Sequence, residues 1–217
     1  MPTILVCFAV EEEAKHFRKI TQNYPHLRIL ITGIGRENAR RATIEALADN
    51  TPQTVLSCGF AGGLNPDLPR GTVLFAGEND FPHAKRLKES GAEPGSFYNV
   101  DRVLITTAEK ESVRKTTGAD AVEMESDTIW QVCEKAAIPC ATVRVISDAA
   151  NETLPLDFNQ LFSSENTISH AALAKTLINS PSRIPGLIRF QRRITKCAEK
   201  LSVVLTGALI RTVQSTP

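Results

Sequence analysis

Short runs of consecutive apolar residues alternate with segments of helical periodicity along most of this chain. The runs predict strands over residues 3–10, 27–32, 54–58, 71–76, 103–107, 120–122 and 139–146. Helical spacing predicts helices over 11–20, 37–49, 110–116 and 126–137. Strands rich in Val, Ile and Leu on both faces, alternating with helices, imply a parallel-rich sheet covered on both sides. The expected fold is therefore a single-domain, three-layer α/β/α arrangement over residues 1–217, with a central mixed, largely parallel sheet. Residues 77–100 carry two prolines and several glycines, and read as an irregular, mobile loop near the site. Pro181 and Pro185 precede a last helical pattern over 184–213. Its stripe of Leu187, Ile188, Ile194, Cys197, Leu201, Val204, Leu205 and Ala208 keeps helical spacing.

Composition narrows the class. With 217 residues, 42% of them hydrophobic and 23% charged, the chain can bury a full core and is no disordered segment. Lys and Arg number 25 against 24 Asp and Glu, so an overall charge for nucleic-acid binding is absent. The exception is the end: from Arg183 to Pro217 seven basic residues face one acid, Glu199. This stretch reads either as a core-packed helix with a solvated basic face or as a peripheral contact with an anionic membrane. Five cysteines, none in CxxC spacing, read as buried reduced thiols of a cytoplasmic protein, with neither disulfide scaffold nor metal site expected. The apolar run at residues 4–10 lacks a preceding basic region and is followed by three glutamates. It is expected to be a buried strand, not a signal peptide.

In parallel-rich sheets, ligands collect at the carboxyl ends of strands. Four such places carry notable residues. Glu11, Glu12 and Glu13 close the first strand, and suit either a helix first turn or a site. Gly33 and Gly35, followed by Arg36, form a turn whose N–H groups could hold phosphate or another oxyanion, or simply turn the chain. The segment Cys58-Gly-Phe60-Ala61-Gly62-Gly63 suggests backbone close to a flat ligand, with Phe60 packing on it, or a glycine-rich loop around a core ring. Glu123-Met124-Glu125 and Ser147-Asp148 place further carboxylates after apolar runs.

Five blocks in order resemble the nucleoside phosphorylase superfamily, in the branch of methylthioadenosine/S-adenosylhomocysteine nucleosidases and purine nucleoside phosphorylases. They are AVEEE at 9–13, TGIGRENA at 32–39, CGFAGGLNPDL at 58–68, AVEMES at 121–126 and VRVISDAA at 143–150. The segments TGIGRENARRAT, AEKESVRKTTGADAVEMES and SRIPGLIRF further resemble the hopanoid-associated phosphorylase subgroup. That resemblance implies cleavage of a purine N-glycosidic bond, in the subgroup the release of adenine from an adenosyl-hopane precursor. It implies Asp148 as the acid facing base N7 and Glu13 as the carboxylate directing water. Glu125 would take the ribose hydroxyls, with Met124 against the sugar. Glu123, Phe60, Ala61, Gly62 and Ser147 would complete the substrate site.

The resemblance implies no cofactor beyond phosphate as co-substrate in a phosphorylase, and a homo-oligomer of two or more copies. Relatives close to the nucleosidases often carry Ser in place of Phe60. The stretches between residues 20 and 27 and after 107 are also shorter, implying a more open pocket. Three glutamates at one strand end repel phosphate, although Arg36 and Arg144 could compensate. Hydrolysis is the favoured expectation, with phosphorolysis and a nucleoside-binding protein without catalysis as alternatives.

Overall fold

A computed structural model describes residues 3–78, 80–161 and 184–210. One eight-stranded sheet organises them, six strands side by side (residues 27–31, 4–8, 54–63, 140–148, 73–77 and 92–94 in that order) and two more, 121–123 and 97–99, off this path beside the third. The strands are β1 (Ile4–Phe8), β2 (Leu27–Ile31), β3 (Thr54–Gly63), β4 (Val73–Gly77), β5 (Ala92–Pro94), β6 (Phe97–Asn99), β7 (Ala121–Glu123) and β8 (Cys140–Asp148). Pairing is parallel for β1 with β2 and β3, for β3 with β8, for β4 with β5 and for β6 with β7. Only β4 on β8 and β7 on β3 run antiparallel. The largely parallel mixed sheet is the one expected.

Among the described residues six α-helices frame it: α1 (Glu11–Thr21), α2 (Arg36–Asp49), α3 (Ala84–Glu89), α4 (Thr107–Thr117), α5 (Ser126–Lys135) and α6 (Ile184–Leu209). Strand alternation divides the core between two faces. Val6 and Phe8 of β1 join Phe17 of α1 and Leu201 and Leu205 of α6 in one cluster. Leu5 and Cys7, pointing the other way, join Ala39 of α2 and Ile129 and Cys133 of α5. Both faces of β1 are thus buried, which is why its sequence is an unbroken apolar run. All five cysteines are buried free thiols.

Two expectations fail. Residues 103–107 form no strand. Thr106 caps α4 instead: its Oγ1 accepts the Glu109 N–H at 3.2 Å, and Glu109 Oε2 accepts the Thr106 N–H at 2.8 Å. The capping box Thr106-Thr-Ala-Glu109 outweighs the apolar run before it, so the helix begins at Thr107. Residues 77–100 are no irregular loop either, because α3, β5 and β6 lie within them. Elements of three to six residues are too short to show periodicity, and their order comes from pairing with β4 and β7.

The strands also outrun their predicted ends. β3 continues through its glycines to Gly63, and β8 continues to Asp148, so Ser147 and Asp148 lie inside the sheet. The last helix runs along the core with Cys197, Leu201, Val204, Leu205 and Ala208 buried, the core-packed outcome for that face. Its predicted end beyond residue 210, with Arg211, lies outside the described residues, as does Arg183.

Candidate active site

The site forms where β3, β7 and β8 meet the start of α1. Of the three glutamates closing β1, Glu11 and Glu12 are exposed, and Glu11 pairs with Arg18 at 2.9 Å. Glu13 shares the inward face of α1 with Ala14 and Phe17 and is buried. Its Oε2 accepts the Ala9 and Val10 N–H groups at 2.9 and 3.2 Å. Its Oε1 accepts the Phe60 N–H at 2.7 Å, which ties the end of β1 to β3. Burial pushes the Glu13 carboxyl up, against Arg144 and these N–H groups.

Gly59 makes this approach feasible. Its φ is +149°, and a Cβ there would stand 2.5 Å from Glu13 Oε1 and 2.6 Å from Arg144 Nη1. The space beside Gly59 is filled by these two side chains. Phe60 itself packs half-buried against the α1/α6 core cluster.

β7 crosses the end of β3 in antiparallel register, Gly62 opposite Val122 and Gly63 opposite Ala121. This brings Glu123-Met124-Glu125 beside the end of β8, with both glutamates buried and Met124 partly exposed. Arg144, from the middle of β8, is 2% exposed and joins the group. Its Nη2 donates to Glu123 Oε2 at 2.6 Å, to Glu125 Oε2 at 3.2 Å and to Ser57 Oγ at 3.2 Å. Burial pushes Glu123 up, but Arg144, Ser126 and the N–H groups of Glu125 and Ser126 outweigh it and hold it below the usual range. Glu125 has fewer donors. Burial, with Glu123 and Glu13 nearby, pushes it up to about 7 against Arg144 and Gly35.

The glycine turn contributes directly. Gly35 donates its N–H to Glu125 Oε1 at 2.9 Å, while the Gly33 N–H is spent on Ala9 O at 3.1 Å. Both glycines have φ of +83°, which suits only glycine without strain. Arg36 turns away to Asp101, 3.0 Å, and to the Asn99 carbonyl, 3.2 Å.

Asp148 occupies the other wall. The register of β8 against β3 jumps from Ala61–Ile146 to Gly62–Asp148, so Ser147 is the extra residue of a bulge. Ser147 Oγ donates to Asp148 Oδ1 at 2.6 Å and lies 3.2 Å from the Ala61 carbonyl. Asp148 Oδ2 receives the ammonium of Lys110 at 2.5 Å. A cavity of about 220 Å³ opens beside Asp148, lined among others by Ser147, Glu152, Leu154, Arg189 and Phe190.

Glu13, Phe60, Ala61, Gly62, Glu123, Met124, Glu125, Ser147 and Asp148 are therefore brought to one end of three neighbouring strands. Sequence reasoning missed Lys110 and Asn99, whose Nδ2 donates to Glu123 Oε1 at 2.6 Å. Arg144 had a visible signal, a lone cation inside an apolar strand, which calls for buried partners. Among the described residues no group of His, Cys, Asp and Glu is arranged to hold a metal ion.

The described residues thus form an α/β sheet with Glu13, Glu123 and Glu125 gathered around Arg144 at its strand ends. The profile of the Phosphorylase superfamily matches residues 7–81 and 84–179, and the chain belongs to that superfamily. Aminodeoxyfutalosine nucleosidase of Campylobacter jejuni is 25% identical over 168 residues, 63% of this chain and 73% of that protein. The 5′-methylthioadenosine/S-adenosylhomocysteine nucleosidase of Bacillus cereus is 28% identical over 166 residues, 61% and 72% of the two chains. Among solved structures, the nucleosidase of Neisseria meningitidis in complex with methylthio-immucillin-A superposes with a TM-score of 0.70 at 19% identity, covering 96% of this chain and 99% of that one. The futalosine hydrolase of Helicobacter pylori gives 0.69 at 18% identity, with 96% and 97% covered.

Proposed function

We propose that this protein hydrolyses the N-glycosidic bond of a 5′-modified adenine nucleoside. Bond cleavage builds positive charge on the ribose and negative charge on the departing base. Asp148 faces the base and supplies hydrogen bonding and a proton at N7. Glu13 directs water: Oε1 accepts one backbone N–H and keeps a lone pair for it. Glu125 likewise keeps one free lone pair on each oxygen, suited to the ribose hydroxyls.

The observation that carries hydrolysis over phosphorolysis is the commitment of both candidate arginines. Arg144 is enclosed by Glu123 and Glu125, with Glu13 close by, and Arg36 is paired with Asp101. The Arg144 charge is already matched by Glu123 at 2.6 Å and shared with Glu125 at 3.2 Å, so it is not free to balance a phosphate dianion. The relatives named as nucleosidases support the same choice. The test is to incubate the protein with adenosine and a panel of 5′-substituted adenosines, with and without phosphate. Adenine and a free sugar, independent of phosphate, are expected; a sugar 1-phosphate formed only with phosphate overturns the hydrolytic reading.

The resemblance to the hopanoid-associated subgroup extends the reading to a lipid-linked nucleoside of the adenosyl-hopane type. The exposed basic residues of α6 support it: Arg192, Lys196 and Lys200 face solvent, while Arg189 and Arg193 line the cavity beside Asp148 and Arg193 also pairs with Glu152 at 3.6 Å. Such a face can rest on an anionic membrane that holds the substrate's apolar tail. No helix of the described residues is long and apolar enough to cross a membrane. Homo-oligomer assembly is carried by the family resemblance alone.

A further inference from the structure

Lys110 has no part in the chemistry outlined above, yet its side chain is 0% exposed. An ammonium has three donors, and here all three are spent. They go to Asp148 Oδ2 at 2.5 Å, the Ala149 carbonyl at 2.8 Å and the Glu152 carbonyl at 2.8 Å. Burying a cation is costly unless it is paired and fully hydrogen-bonded, so a lysine kept here purely for packing would be a poor choice. Asp148 in turn is held on both oxygens, by Lys110 on Oδ2 and by the Ser147 hydroxyl on Oδ1.

An aspartate locked against an ammonium is a carboxylate, and a carboxylate alone has no proton for a leaving base. The proton lies on its partner. We propose that Lys110 is a positioning residue that stores the acid proton and delivers it through Asp148. As the bond from C1′ to the base breaks, the bonding pair goes to the base. A proton passes from Lys110 Nζ to Asp148 Oδ2 and on to base N7, so adenine leaves neutral. Water adds hydroxide to C1′ and gives its proton to Glu13. Once the products leave, Glu13 returns that proton to solvent and the Lys110 amine takes one up. One water is consumed, and one adenine and one free sugar are formed.

This inference rests on the nucleosidase reading, and its test separates the two. The variants are Lys110→Met, Asp148→Asn and the double variant, which removes both charges of the buried pair together. They are compared on the best adenine nucleoside of the panel and on p-nitrophenyl β-D-riboside, whose phenolate departs without a proton. Lys110→Met is expected to lower kcat on the nucleoside about 100-fold with KM nearly unchanged, and to spare the aryl riboside. The double variant is expected to be no slower on the nucleoside than Asp148→Asn, since both changes remove one proton route. Equal loss on both substrates would assign Lys110 a purely structural role and overturn the proposal. So would full nucleoside turnover by Lys110→Met. Should Lys110→Met fail to fold, Asp148→Asn against the double variant decides, and a further loss in the double overturns it. A wild-type protein that frees no base from any nucleoside overturns the nucleosidase reading, and this proposal with it.

Discussion

Glu123 Oε2 and Arg144 Nη2 meet at 2.6 Å inside the sheet, with side chains 1% and 2% exposed. They join β7 to β8 where neither strand pairs with the other, and Arg144 also reaches Glu125 and Ser57. Removing one partner of such a pair strands a buried charge. Arg144→Met is therefore expected to destabilise the fold by about 3–5 kcal/mol, read from urea unfolding. A loss under about 1 kcal/mol would show that the glutamates take up protons or find other donors.

Gly59 is a steric prediction. A methyl group there would lie within 2.6 Å of Glu13 Oε1 and Arg144 Nη1, on backbone of positive φ. Gly59→Ala must push Glu13 from its place, and a shift of about 1 Å costs on the order of 100-fold in turnover. Steady-state kinetics on the best nucleoside checks this, and unchanged kcat would mean Glu13 can move without consequence.

Asp148 and Glu13 should fail in different ways. Asp148→Asn keeps the shape but cannot pass a proton, so kcat should drop roughly 100- to 10,000-fold. Glu13→Gln should impair single-turnover hydrolysis more than nucleoside binding. Lost binding with normal single-turnover cleavage would remove Glu13 from the water-directing role.

Glu125 gives a pH signature. Its carboxyl is pushed from 4.5 up to about 7, so the folded protein holds a proton that the unfolded chain has released between those values. Stability from this group is complete below about 4.5 and is lost as the pH rises through about 7. Wild type should accordingly lose melting temperature across that window relative to Glu125→Gln, as thermal unfolding at a series of pH values would record. Parallel curves for the two proteins would contradict the burial-driven shift.

The basic face of α6 makes the last prediction. Each Lys or Arg near an anionic surface contributes on the order of 1 kcal/mol, screened by salt. Co-sedimentation with anionic vesicles at low salt is expected, and should vanish with neutral vesicles or high salt. Failure to sediment at low salt would leave the face as ordinary solvated surface.

The sequence by itself determined the layered fold and the blocks that carry the carboxylates. Apolar runs such as Ile4–Phe8 are buried on both faces, and that burial leaves its mark residue by residue. Glu123, Glu125, Asp148 and the cluster Glu11–Glu13 are legible because they stand at strand ends, where a change from apolar to acidic residues is a local signal; the family resemblance singles out Glu13 within its cluster. Tertiary structure alone decided which carboxylate meets which cation. Lys110 and Asp148 lie 38 residues apart, and Glu123 and Arg144 lie 21 apart. Their meeting depends on strand register, on the Ser147 bulge and on a helix that begins at a capping box. Periodicity reports whether a position is buried, not what it is buried against. Hence Lys110 passed as one residue of a helical pattern, and the short strands β5 and β6 read as a loop. In each case the deciding energy comes from a neighbour distant in sequence, so no local window carries it.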